Sequence, residues 1–221
     1  MYKYVLSTLI IILFLGCSKI YHKSGLSLLQ QPFTPDFITF KTDGYYYAEI
    51  SRQQYEFDIP NDGKSSNLFL AKGITPIIFY EDGFVKKDEG FLLENKPSDS
   101  AHKKKIIDSI LVAYENSDQT SKYKRKSKAN LWNWGVYRQN NSNLQLQYYI
   151  NHFGQYRLVT LKILVLNDST LLATHKYSRY AGVQPHIIND SLKEFYKFRK
   201  FSSKPDSINY LRDNLHRFKK K

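Results

Sequence analysis

The chain has 221 residues, and its 33 Lys and Arg against 20 Asp and Glu give a net charge of +13. This length fits one domain with appendages. A hydrophobic fraction of 42%, with 15% aromatic residues, excludes a wholly disordered chain. The abundance of Tyr and Phe favours β-strands. The single Cys excludes a disulfide framework, a zinc site built on cysteines and an iron–sulfur cluster.

The first residues have the layout of a secretory signal. Lys3 precedes an apolar run over 5–15, which ends at Gly16 and Cys17. A membrane-spanning helix needs about 20 apolar residues, so this run is too short to span. Residues 13–17, with the sequence LFLGC, resemble the lipobox of bacterial lipoproteins. The resemblance implies signal cleavage between Gly16 and Cys17 and lipidation of the Cys17 thiol. A plain signal peptide with an incidental cysteine is the alternative.

The lipobox reading divides the N-terminal part of the chain and predicts its location. Residues 1–16 are then a signal peptide, and 17–35 are a lipidated N-terminus with a flexible tether. More than one acyl chain on Cys17 would hold the protein stably on a bilayer. Neither Ser18 nor Lys19 is acidic. By analogy with lipoprotein sorting, we expect a lipid-anchored cell-envelope protein on the outer membrane, facing the periplasm.

Two Asp-Gly pairs mark hairpins in the first half of the mature chain. Asp43-Gly44 lies between a predicted strand over 37–41 and an aromatic run, and Asp82-Gly83 separates two further apolar runs. An Asp-Gly pair between strand-forming runs is a strong hairpin signal. Both glycines are therefore predicted to adopt positive φ angles.

The second half of the chain predicts a β-meander with helices at two places. Between 132 and 178, apolar runs alternate with turn clusters about every 10–12 residues, and a last strand over 194–201 would close the sheet. Apolar residues recur at helical spacing over 98–116 and 206–220. We therefore predict one mainly β domain over 36–221. It would be an antiparallel up-and-down barrel or curved sheet with one inserted helix and one C-terminal helix.

A looser resemblance covers most of residues 37–210. The segments 42–46, 79–83, 134–137 and 204–207, in this order after a lipobox, look like those of small lipocalin-like lipoproteins of Gram-negative bacteria. The resemblance implies a calycin-type barrel. Barrels of eight strands can enclose one small molecule. The aromatic side chains are therefore expected either to pack the sheet or to line a cavity for a small apolar ligand.

A polar loop over 117–130 contains the densest cluster of positive charge. Each cation close to an anionic surface contributes about 1 kcal/mol of binding, so this loop is a candidate contact for anionic lipid or lipopolysaccharide. A solvated loop is the alternative. Nucleic acid is not expected as a partner, because an exported, lipid-tethered protein meets little of it and Lys197-Phe198-Arg199 is only a modest hint of cations interleaved with aromatic residues. The five candidate contact residues are Lys122, Lys124, Arg125, Lys126 and Lys128.

No local motif predicts catalysis or metal binding. The six histidines lack metal-ligand spacing, and no nucleophile motif of the G-x-S-x-G type is present. We expect no catalytic residue, no metal and no cofactor, and hence a membrane-anchored, non-catalytic binding or structural module. Two alternatives stay open. One is a hydrolase of envelope material that uses dispersed carboxylates, which a sequence does not reveal. The other is an interaction protein that uses the basic surface.

Overall fold

The computed structural model describes residues 26–34, 38–55, 68–88, 90–93, 103–118, 131–152, 155–179, 186–189, 192–202 and 209–218. The strands in these ranges are β1 Gly44–Tyr55, β2 Leu68–Phe79, β3 Phe84–Lys87, β4 Phe91–Leu93, β5 Trp134–Asn140, β6 Asn143–His152, β7 Gln155–Asn167, β8 Thr170–Arg179, β9 His186–Asn189 and β10 Glu194–Lys200. The helices are α1 Lys103–Asp118 and α2 Tyr210–Asp213, and 3₁₀ turns cover Ser27–Gln30 and Leu215–Arg217.

Eight of the strands form a closed antiparallel barrel. Their order is β1-β10-β8-β7-β6-β5-β3-β2, and β2 pairs back with β1 to complete the ring. The two short strands extend the wall, because β4 pairs with β2 beyond β3, and β9 pairs with β8 beyond β10. The predicted antiparallel barrel with an inserted and a C-terminal helix is confirmed.

Alternation along the strands sends side chains to two separate clusters, one inside the barrel and one outside it. In β1, Tyr46 and Ala48 point inward, whereas Tyr45 and Tyr47 point outward. The outer cluster is covered by α1, by the C-terminal turns and by the N-terminal 3₁₀ turn. The residues that cover it are Leu26, Leu28, Ile110, Leu111, Tyr114, Leu211 and Phe218.

A strap over residues 38–43 closes one end of the barrel. Phe40 is buried, and the centre of its ring lies 4.7 Å from that of Phe79. The Asp168 carbonyl, in the β7–β8 turn, accepts hydrogen bonds from the Tyr46 hydroxyl at 2.5 Å and from the Lys41 amide at 3.1 Å. Aromatic side chains therefore fill this end of the barrel.

The two predicted Asp-Gly hairpins have different outcomes. The Asp82-Gly83 turn is confirmed, since it joins β2 to β3 and Gly83 has a φ of +84°. The prediction of a hairpin at Asp43-Gly44 is wrong, because residues 38–43 form the strap and Gly44 is the first residue of β1. Gly44 is needed there for space, since a Cβ on it would overlap the backbone carbonyl of Arg199 in β10.

The predicted N-terminal tether needs correction, and the structure gives bounds for the C-terminal helix. The prediction of a flexible tether over 17–35 is wrong for residues 26–34, because Leu26 and Leu28 are each 1% exposed and belong to the outer cluster. Within the described part of the predicted 206–220, the C-terminal helix covers Tyr210–Asp213 and the 3₁₀ turn covers Leu215–Arg217. The buried Asn209 caps the start of the helix by accepting a hydrogen bond from the Arg212 amide. Of the described helices, none has the length and apolar character needed to cross a membrane.

Candidate functional site

The barrel interior contains a cavity of about 270 Å³ on the side away from Phe40. At about 30 Å³ for each water molecule, this is room for about nine waters or one small molecule. Seven strands of the wall contribute to it, so the closed barrel itself positions the lining. The lining residues are Ile50, Ser51, Thr75, Lys87, Tyr148, Leu161, Lys176, Glu194 and Tyr196.

Lys87 is the buried cation of this cavity, with 3% of its surface exposed. Its position follows from the alternation of β3, in which Val85 also faces inward while Phe84 belongs to the outer cluster. Among the described atoms, its ammonium donates to the carbonyl oxygen of Asp88 at 3.1 Å and lies 5.6 Å from the ring centre of Tyr196. Taking an ammonium group out of water is costly, which makes this lysine an unusual choice for a barrel interior.

A chain of hydrogen bonds crosses the cavity from β2 to β10. The Thr75 hydroxyl donates to the Tyr196 hydroxyl at 3.4 Å, and the Tyr196 hydroxyl donates to the Glu194 carboxylate at 2.9 Å. Such chains fix the direction in which each hydroxyl points. Tyr196 is therefore held with its ring against the lysine and its hydroxyl directed to Glu194.

The cavity combines polar groups with apolar walls. Lys87, Lys176 and Glu194 give the lining one positive charge in excess, while Ile50 and Leu161 supply apolar surface. A few convergent polar groups on apolar walls are typical of ligand sites in proteins. The arrangement can hold a small polar molecule by hydrogen bonds and charge.

The described residues offer little of what hydrolysis or metal binding would need. Among the described lining residues, Glu194 is the single carboxylate of the interior cavity, and Asp82 is the single carboxylate of a surface cavity near the N-terminal turn. Glycosidase-type catalysis needs two carboxyl groups about 5–10 Å apart. In the part of the chain that the structure describes, no group of three or more His, Cys, Asp or Glu side chains could hold a metal ion.

The sequence-predicted site residues lie outside the described residues. This applies to Gly16 and Cys17 and to the five cations of the 117–130 loop, Lys122, Lys124, Arg125, Lys126 and Lys128. Their predicted roles stay predictions.

The cavity residues were missed by the sequence analysis, although one signal was present. In the run Phe84-Val85-Lys86-Lys87, period-two alternation puts a lysine on the same face as Val85. A lysine at an inward position of a barrel strand marks a polar interior site. The sequence carries no comparable signal for the cavity residues of β2, β8 and β10. Only the closure of the barrel brings these strands to the cavity that Lys87 lines.

Comparisons with known proteins identify no relative of this chain. The chain matches no protein-family model, no curated protein and no solved structure.

Proposed function

We propose that this protein is a cell-envelope lipoprotein, anchored through acylated Cys17, whose barrel is a non-catalytic binding module for one small polar ligand. The observation that carries the binding part is the interior cavity with the buried Lys87 in its wall. The anchoring part is supported by the lipobox-like segment 13–17 and by the position of Cys17 at its end.

The packing of the barrel supports a small polar ligand over a large apolar one. Sixteen of the described residues form the buried inner cluster, and one of them, Phe40, plugs one end of the barrel. The remaining 270 Å³ is lined by ammonium, hydroxyl and carboxylate groups as well as by apolar side chains. An apolar ligand would displace water from these polar groups and offer them no hydrogen bond in return, which costs free energy.

The docked N-terminal segment supports a close association with the membrane. Leu26 and Leu28 lie in the outer cluster, so residues 17–25 alone would join the lipid to the barrel. Even fully extended, nine residues span at most about 30 Å. The barrel would therefore stay next to the membrane surface, on the periplasmic side of the outer membrane by the sorting analogy.

Anchoring is tested by labelling cells with a fatty-acid probe and fractionating them. The wild-type chain should carry the label and remain with the membranes, and Cys17→Ala should do neither. Equal labelling of both chains would contradict the lipoprotein assignment.

Ligand binding is tested by ligand-observed NMR of the full chain in neutral detergent with a library of small polar compounds. Compounds of about ten non-hydrogen atoms match the cavity, because a cavity of about 150 Å³ holds benzene. Hits should be lost in Leu161→Phe, whose larger side chain enters the cavity, and kept in Leu166→Phe. Leu166 lies on the same strand and is 50% exposed. A library without hits, or hits unaffected by Leu161→Phe, would contradict the binding module.

A further inference from the structure

The outer wall of the barrel carries a second cavity that the interior site does not use. It is a groove of about 960 Å³ over strands β5 to β8, bordered on one side by the N-terminal segment at Gln31, Pro32 and Thr34. It shares no described lining residue with the interior cavity.

Strand register places four polar side chains in one row across the floor of this groove. Arg138 of β5 pairs with Gln145 of β6, Gln145 pairs with Lys162 of β7, and Lys162 pairs with His175 of β8. Directly paired residues project from the same face of a sheet. With neighbouring strands about 4.8 Å apart, the row extends over about 14 Å.

The basic side chains of this row are positioned by rings and carbonyl oxygens. The Lys162 ammonium lies 5.4 Å from the ring centre of Tyr177, and the His175 ring stacks on that ring at 6.1 Å. Arg138 donates to the backbone carbonyls of Tyr137 and Gln31 and lies over the ring of Phe33 at 5.2 Å. These contacts hold the side chains in place, and none of them is made to a carboxylate.

Carboxylates are absent from the described lining of the groove. Elsewhere on the barrel, surface lysines pair with acidic side chains: Lys41 with Asp168 at 3.0 Å and Lys200 with Asp43 at 3.6 Å. Among the described lining residues, no carboxylate offsets the positive charge of the groove, so this charge can attract an external anion. Burial also lowers the pKa of the Arg138 guanidinium from its usual range. An anion at this depth would interact with Arg138 more strongly than on open surface.

Amide side chains lie within this row and beside it. The carboxamides of Asn140, Asn143 and Gln145 line the groove. Each carboxamide offers both donors and an acceptor. Hydroxyl groups need donors and acceptors together, whereas a bare phosphate or sulfate needs donors only. Amides beside cations therefore suit a molecule with many hydroxyls and some negative groups.

We propose that this groove binds an acidic oligosaccharide, a sugar chain that bears carboxylate or phosphate groups. Lys162 and His175 contact the negative groups, and the carboxamides contact the sugar hydroxyls. The length of the row allows contact with more than one sugar ring, so a chain binds better than a single sugar. This proposal goes beyond the binding function proposed for the barrel interior, and the two sites are lined by different residues.

The test is calorimetric titration of the full chain, in neutral detergent at physiological salt, with two sugar hexamers. Hexagalacturonate carries a carboxylate on every ring, and maltohexaose carries none. We expect the acidic hexamer to bind at least tenfold more tightly, since hydrogen bonds to charged groups are stronger than neutral ones. Equal affinity for both hexamers, or no binding of either, would overturn the proposal.

A matched pair of variants separates a defined groove from general attraction to a basic protein. Lys162→Gln removes one charge from the groove and should weaken hexagalacturonate binding about tenfold, as expected for one charge-assisted hydrogen bond. Lys197→Gln removes one charge from an exposed ion pair with Glu49 and should change binding less than twofold. Equal losses of hexagalacturonate affinity in the two variants would overturn the proposal, because binding would then depend on the net charge of the protein and not on the groove. Binding of phosphatidylglycerol vesicles that depends on Lys162, without hexamer binding, would assign it to lipid headgroups instead.

Discussion

Gly83 shows how one residue fixes a turn of the barrel. Its φ of +84° is unfavourable for side chains with a Cβ, and a Cβ there would lie 2.8 Å from the Phe33 ring. We expect Gly83→Val to lower the free energy of unfolding by about 1–3 kcal/mol, measured by urea denaturation. Gly83→Asn should cost less, because Asn adopts positive φ more readily. A Val variant as stable as the wild type would contradict this turn.

Glu115 makes charged contacts between helix α1 and the barrel wall. Its carboxylate accepts hydrogen bonds from the Arg199 guanidinium at 2.6 Å and from the Tyr45 hydroxyl at 2.9 Å. Tyr45 is fully buried, and burial followed by its bond to Glu115 raises the pKa of its phenol.

We expect Glu115→Gln to lower the free energy of unfolding by about 1–2 kcal/mol, because it weakens charge-assisted hydrogen bonds in a partly buried site. Thermal unfolding should show this as a loss of about 2–8 °C in Tm. The control is Glu49→Gln, whose partner Lys197 lies 3.6 Å away in an exposed pair. Exposed pairs contribute at most about 1 kcal/mol. A larger loss in the control would contradict the assigned role of Glu115.

At the scale of elements, the sequence predicted those strands and helices whose signals are local. The meander from β5 to β8 was predictable because alternation and turn clusters recur along it. The prediction of a strand over 37–41 rests on the apolar and β-branched residues around Phe40, whereas in the structure the Phe40 ring plugs the barrel and the described residues 38–43 form the strap. The N-terminal 3₁₀ turn was missed because its partner, Gln147, lies 119 residues further along the chain. The interior site was missed for the same reason, since Lys87 and Tyr196 meet only through barrel closure.

Gln147 provides a test of the docked N-terminal turn. This buried side chain accepts a hydrogen bond from the Leu28 amide at 2.9 Å and donates one to the Ser27 hydroxyl at 2.9 Å. We expect Gln147→Ala to release the turn, so that hydrogen exchange of the Leu28 amide becomes at least tenfold faster, since a loss of about 1.4 kcal/mol corresponds to tenfold. Gln145→Ala, on the same face of β6, should leave that exchange rate unchanged. Equal rates in both variants would contradict the docking.

At the scale of the whole molecule, buried tyrosines couple barrel stability to alkaline pH. Burial raises the pKa of the phenols of Tyr46, Tyr137 and Tyr149 well above the usual value. A raised folded-state pKa gives stability that is present below the unfolded pKa of about 10 and is lost as pH rises above it. The folded barrel therefore keeps these phenols protonated.

We expect tyrosinate absorbance to rise in two phases during alkaline titration. Exposed phenols should ionise first near pH 10, and the buried ones should ionise together with loss of β-sheet circular dichroism. Ionisation of all 18 tyrosines in one phase, with the sheet intact, would contradict the buried aromatic interior.

The central claim is that the buried Lys87 serves a ligand in the barrel cavity, and its neighbour on β3 provides the control. Lys86 pairs with Trp134 of the outer cluster, so it faces away from the cavity. The decisive measurement is calorimetric titration of a compound from the polar library into the wild type, Lys87→Met and Lys86→Met. We expect Lys87→Met to weaken binding about tenfold to a hundredfold, as for a lost hydrogen bond to a charged group, and Lys86→Met to change it less than twofold. Equal affinities in all three proteins would contradict the interior site.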